Sequence, residues 1–165
     1  MSKKFSNTLV YDADLDAMWQ MMTGQDWWTA KYQALGADNI VYNTFDVTDT
    51  SFTIVSERDV PADLPSFAKK IIGDTNHVTQ TEKWTRNPDT ATATIEILIK
   101  NIPGGTTGTM KITPSGSGTT WRSDFDIKVG IPMVGGKLEG IIKDETASNF
   151  EQEKTFNDQW LANNA

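Results

Sequence analysis

Apolar positions change period along the chain, and the changes mark its elements. Over residues 3–11, Phe5, Leu9 and Tyr11 alternate with Lys4, Ser6 and Val10, which predicts a strand that Asp12–Asp14 stops. Leu15, Met18, Trp19 and Met22 then fall at i, i+3, i+4 and i+7, the stripe of a short helix over 15–22. Asp14 is suited to cap its start and Gly24 to end it. A second short helix is expected over 26–35, with Trp28, Tyr32 and Leu35 on one face and Gly36 at its end.

From residue 39 to 130 the pattern belongs to strands, at 39–47, 51–60, 76–86, 91–100, 106–113 and 119–130. Val, Ile, Thr and aromatic residues crowd these runs, as a pleated, half-buried surface favours. Asn87-Pro88-Asp89 and Ser115-Gly116-Ser117-Gly118 read as turns between them. In the last strand Trp121, Phe125, Ile127 and Val129 alternate with Arg122, Asp124, Asp126 and Lys128, so one face meets the core and the other water. Residues 61–74 interrupt the strands. There Pro61 and Pro65 bracket Ala62-Asp63-Leu64, and Leu64, Phe67 and Ile71 fall at helical spacing, which predicts a short amphipathic helix with Lys69 and Lys70 outward.

A long helix is predicted over 133–163, about 30 residues and roughly 45 Å. Its first half carries Val134, Leu138, Ile141 and Ile142, and its end carries Phe156 and Trp160. The stripe projected from Leu138 passes through Glu145, Asn149 and Gln152, so the buried face turns polar halfway along. Two readings fit. Either that stretch faces a cavity holding water or ligand, or the helix twists and Phe150 takes over the buried side.

With 165 residues the chain fits one domain, 1–165, large enough for a full core. The net charge of −7 and the pI near 4.6 argue against phosphate-backbone binding, which needs clustered Lys and Arg. Six Trp among the aromatic residues exclude a disordered chain. The absence of Cys removes disulfide scaffolds, thiolate zinc sites and cysteine nucleophiles. Met1–Asn7 lacks an apolar run after its two lysines, so no signal peptide is expected. No apolar run of about 18 residues is present either, so a cytoplasmic protein without integral membrane association is the expectation.

The order is one strand, two short helices, six strands and a long helix. It resembles the helix-grip fold of the START-like superfamily, which includes polyketide-cyclase-like and lipid-transfer proteins. Two stretches carry a narrower likeness, to a START-like family of unknown function. One is Val60-Pro61-Ala62-Asp63-Leu64-Pro65 with Phe67 and Ile72-Gly73-Asp74, followed by Gln80-Thr81-Glu82-Lys83-Trp84. The other is Ile131-Pro132-Met133-Val134-Gly135-Gly136-Lys137-Leu138-Glu139, with Trp160-Leu161 near the end. The resemblance implies an α+β fold, a curved seven-stranded antiparallel sheet wrapped around the C-terminal helix, with an apolar cavity between them. The glycine-rich loop of the plant-allergen branch has no counterpart at Asp49-Thr50.

Chemical signatures are sparse. His77 is the only histidine; spacing fixes no acid beside it, and it is expected to point outward because Val78, Gln80, Glu82 and Trp84 share the inward face. One His and no Cys give no transition-metal site. Gly130–Lys137 misses phosphate-loop spacing by one residue and has Leu138 where Ser or Thr belongs. Arg58 is in phase with Phe52, Ile54, Ser56 and Val60, while Glu82 is in phase with Gln80 and Trp84. If both faces look inward, opposite charges enter one cavity and must pair with each other or with a ligand. A one-residue slip would instead turn one of them outward.

The expected ligand contacts are Arg58, Glu82, Trp84 and Trp121 from the sheet, with Phe67 and Ile71 from the short helix. The long helix adds Leu138, Ile141, Ile142, Glu145 and Asn149. The expected function is binding or transport of a small apolar molecule, whether a lipid, a polyketide or an aromatic compound, with no cofactor and no nucleic acid. One alternative is a cyclase, dehydratase or hydrolase using Glu82 as acid or base. The other is a ligand-free partner-binding module, in which Glu145 and Asn149 are satisfied internally or turned to solvent.

Overall fold

The computed structural model describes residues 2–61 and 64–164. Ala62 and Asp63 of the first quoted stretch lie outside the described residues. Seven strands form one antiparallel sheet: β1 (Lys3–Tyr11), β2 (Asp38–Val47), β3 (Ser51–Pro61), β4 (Thr75–Arg86), β5 (Ala91–Ile99), β6 (Gly104–Ser115) and β7 (Gly118–Val129). Their spatial order is β1-β7-β6-β5-β4-β3-β2, so β1 returns to pair with the last strand and β2 forms the far edge. Helices α1 (Leu15–Met22) and α2 (Gln25–Ala34) follow β1, α3 (Ser66–Ile72) joins β3 to β4, and α4 (Gly135–Asn163) closes the chain. The α+β helix-grip architecture is the one the element order implied.

Local chemistry explains the boundaries. The Asp14 carboxylate accepts from Ala17 N at 2.9 Å and starts α1. Gly24 caps the start of α2, and α1 ends at Met22 with Thr23 as its C-cap. The β6–β7 hairpin turns through Gly116 and Ser117, with Gly116 at φ 60°, a left-handed conformation open to glycine. Helix α4 starts at Gly135 rather than 133, because Met133 has φ 72° and cannot continue a right-handed helix. A Cβ at Gly135 would run into the Val129 carbonyl oxygen. Beside it the buried Glu139 accepts from Val129 N at 2.9 Å, fixing the start of α4 to the end of β7.

The core has two parts. The larger gathers Met18, Met22, Trp28, Phe52, Trp84 and Ile112 between the sheet, α1 and α2. Phe52 and Trp84 stack across β3 and β4, and Trp84 meets Trp121 edge-on. The smaller gathers Ala68, Val129 and Leu138, with Phe67, Ile71 and Ile141 packed around them, where α3 meets the first turns of α4. Such buried aliphatic and aromatic side chains each stabilise the fold by about 1.5–3 kcal/mol relative to exposure.

Candidate functional site

Between the two core regions the sheet and α4 part to leave two neighbouring cavities. The first, about 100 Å³, is walled by Leu9, Ile95, Met110, Trp121 and Phe125 from the sheet and Phe150 from α4. The second, about 130 Å³, lies toward Val60, Ile99, Ile127 and Ile142. Arg58, Ile97, Thr146 and Asn149 line both, so they form the partition.

The register of β3 and β4 puts Arg58 and Glu82 on the inward face, since Arg58 pairs with Val78, Ser56 with Gln80 and Ile54 with Glu82. The two charges do not touch directly; Gln80 stands between them. Arg58 Nη2 donates to Gln80 Oε1 at 2.9 Å, and Gln80 Nε2 donates in turn to Glu82 Oε2. Trp84 Nε1 donates to Glu82 Oε1 at 2.9 Å. Burial pushes the Glu82 carboxyl above the usual carboxylate range, while Lys31 and these two donors pull the other way. The Arg58 guanidinium lies 4.0 Å from the Tyr32 ring centre, and burial pushes the Tyr32 hydroxyl up to about 12.

Sequence reasoning missed Lys31, Tyr32, Glu153 and Asn157. Lys31 is only 5% exposed, with Nζ 4.3 and 4.1 Å from the ring centres of Trp27 and Trp28. Its charge meets Glu153 at 3.5 Å. Asn157 accepts from Trp27 Nε1 at 3.0 Å and donates to the Tyr11 hydroxyl at 3.0 Å, clamping α2 and β1 onto α4. The signal that could have found them was the sequence Trp27-Trp28 followed by Lys31-Tyr32. At helical spacing each aromatic lies one turn from a partner, and a lysine there covers rings instead of reaching water.

Five expected contacts meet at the cavities: Arg58 and Asn149 in both, Glu82 and Trp121 in the first, and Ile142 in the second. The other six sit elsewhere. Trp84 is core and supports Glu82 from behind. Phe67, Ile71, Leu138 and Ile141 belong to the smaller core cluster, which closes one end of the structure. Glu145 is exposed, as the partner-binding alternative expects, and so is Gln152. The expectation that Glu145 and Gln152 continue the buried stripe is corrected by the inner face of α4, which runs Ile142, Thr146, Phe150, Glu153, Asn157. That is the twisted-helix reading, with Phe150 stacked on Phe5. Asn149 is largely exposed yet still reaches both cavities.

On the opposite face of β3 and β4, His77 lies between two carboxylates. Its Nδ1 is 2.8 Å from Asp59 Oδ1 and its Nε2 2.8 Å from Glu57 Oε1. The outward direction matches the strand pattern. Spacing fixes no acid beside His77, and it is strand register that brings one there, by pairing Asp59 with His77. Among the described residues no cluster of three or more His, Asp or Glu side chains suits a metal ion, and no helix is long and apolar enough to cross a membrane.

A family profile with the description "Protein of unknown function (DUF2505)" matches residues 6–161. An uncharacterised protein of Mycobacterium tuberculosis is 24% identical over 173 residues, covering 99% of this chain and 99% of that protein. Among solved structures, a protein of Thermus thermophilus, TTHA0849, superposes with a TM-score of 0.68 at 13% identity, covering 99% of each chain. The Zhui aromatase/cyclase from a Streptomyces species superposes with a TM-score of 0.52 at 9% identity, covering 98% of this chain and 92% of that one. At such identities the likeness is one of fold.

Proposed function

The chain belongs to the DUF2505 family of proteins of unknown function, and from that premise we propose that it binds a small hydrophobic molecule between the sheet and α4. The observation that carries this reading is the pair of adjoining cavities, whose apolar walls are interrupted by polar groups, among them Arg58, Gln80, Glu82, Lys31 and Glu153. Ligand sites have that composition. The aromatase/cyclase likeness supports it at the level of fold.

Size narrows the ligand. Pockets for drug-sized molecules hold roughly 300–1,000 Å³, and a cavity of about 150 Å³ takes benzene. Each lobe alone, about 100 and 130 Å³, is below that size, and the two adjoining lobes together suit a compact ring better than a lipid chain. The test is thermal unfolding with and without toluene, because a ligand that binds only the native state raises its stability by mass action. A rise in the midpoint is expected for the wild type. Ile97→Phe, which puts bulk into the partition shared by both lobes, is expected to abolish the rise while keeping the fold. A rise of the same size in folded Ile97→Phe would place toluene elsewhere and overturn the reading.

A second reading, acid–base chemistry by Glu82 on a bound substrate, draws on its burial and its raised pKa. Both Glu82 oxygens already accept internal hydrogen bonds, which weighs toward a binding role.

A further inference from the structure

The polar groups of the first cavity are out of balance, and the imbalance has a sign. Arg58 Nη1 is buried with no hydrogen-bond partner, although Nη2 of the same guanidinium is satisfied by Gln80. Trp121 Nε1, on a side chain 8% exposed, is also buried without a partner. Both are donors, and both residues line the first cavity. Buried donors are almost always satisfied in native structures, so each such exception asks for a partner.

The acceptors nearby are already engaged. Glu82 takes hydrogen bonds on both oxygens, and Glu153 faces Lys31. Among the described residues no carboxylate forms an ion pair with Arg58. Lys31 is paired with Glu153, so among the described residues Arg58 is the cation of this cavity that no carboxylate pairs directly. A ligand with two acceptor atoms and a negative charge meets each of these needs, and a guanidinium binds such a group through charge-assisted hydrogen bonds. The second lobe shares Arg58 but adds an unpartnered acceptor, Oδ1 of Asn76, where the first adds a second donor, Trp121 Nε1. The acid function therefore belongs to the first lobe.

Resting on the ligand-binding reading above, we infer that the first cavity takes a single-ring carboxylate, whose anionic head accepts from Arg58 Nη1 and Trp121 Nε1 and whose ring packs on Ile95, Met110 and Phe125. The ring occupies the apolar remainder.

The experiment is isothermal titration of the wild-type protein at pH 7 with benzoate and with nitrobenzene, which has the same shape without the charge. Benzoate is expected to bind about tenfold more tightly or better, the size of a charge-assisted hydrogen bond in a buried site. In Arg58→Met the ratio of benzoate to nitrobenzene affinity should fall to about one, whatever the change in either affinity alone. If Arg58→Met does not fold, Arg58→Lys retains the charge without the fork, and an intermediate preference is expected. Nitrobenzene binding as well as benzoate in the wild type would overturn the carboxylate assignment and leave the apolar-ligand reading intact. Binding of neither at millimolar concentration would overturn both.

Discussion

The same two strands carry a charged cluster on each face, and the two clusters are built differently. Outside, His77 is held by Glu57 and Asp59, and those acids are held in turn by Asn43 and Asn39. Every charged member of that cluster has a partner, and all stand near water. Inside, one residue out of phase, Arg58, Gln80 and Glu82 form a chain that ends in an unsatisfied donor. A closed exposed cluster adds modestly to stability and asks for nothing more. An open buried one carries a desolvation cost that its own hydrogen bonds do not fully offset. The contrast is what supports the proposal of a ligand on the inner face.

The largest effect that tests this contrast comes from breaking the buried chain. Glu82→Ala strands Gln80 and Trp84 and takes a neighbouring charge from Lys31, so a loss of about 3–5 kcal/mol in chemical denaturation is expected. His77→Ala on the outer face should cost only a small fraction of that. Equal losses from the two substitutions would dissolve the distinction between the faces.

A smaller, sharper test compares two tryptophans that meet edge-on. Trp84→Phe removes a donor that Glu82 uses, whereas Trp121→Phe removes one that nothing uses. Both lose similar volume. Trp84→Phe should therefore be the more destabilising by about 1–3 kcal/mol, measured by urea denaturation. Equal values would mean that Trp121 Nε1 is satisfied in solution.

The finest distinction is in pH dependence. His77 is raised above 6.5, first by its hydrogen bond to Glu57 and then by that to Asp59, so its contribution is fully present below 6.5 and is lost as pH rises through the folded value. Glu57 and Asp59 are lowered, chiefly by Asn43 and Asn39, so they stabilise above their ordinary 4.5 and 3.8 and lose that contribution as pH falls through the lowered values. Glu82 is raised by burial. The native state then holds a proton that the unfolded chain releases, and stability falls as pH climbs from 4.5 through the raised value. In denaturation midpoints against pH, His77→Gln should remove the decline that starts above 6.5, and Glu82→Gln the one that starts above 4.5. A His77→Gln profile unchanged above 6.5 would remove the outer cluster from the account.

Much of the fold was legible because its signals are local. Leu15–Met22 carries both its stripe and its cap, and β7 alternates without a break across Trp121–Val129. The site was legible only in part, because its geometry depends on long-range facts. That Arg58 and Glu82 face inward is visible in phase, but the Gln80 relay between them depends on β3–β4 register. The inner face of α4 passes through Phe150 and Glu153, whereas a stripe extended from Leu138 goes to Glu145 and Gln152, since a small phase error grows along a long helix. Lys31 eluded the pattern because a lysine normally marks the solvent side, and here its charge lies over two indole rings.

If a small apolar molecule binds between the sheet and α4, its contacts should be visible on the side-chain methyls of the first cavity. The most direct measurement is a methyl-resolved NMR titration with toluene. Shifts are expected to concentrate at Leu9, Ile95, Ile97 and Met110, which line the first cavity, while Leu138 and Ile141 of the closed end stay still. No methyl shift at saturating toluene, or shifts centred on Leu138 and Ile141 instead, would contradict it.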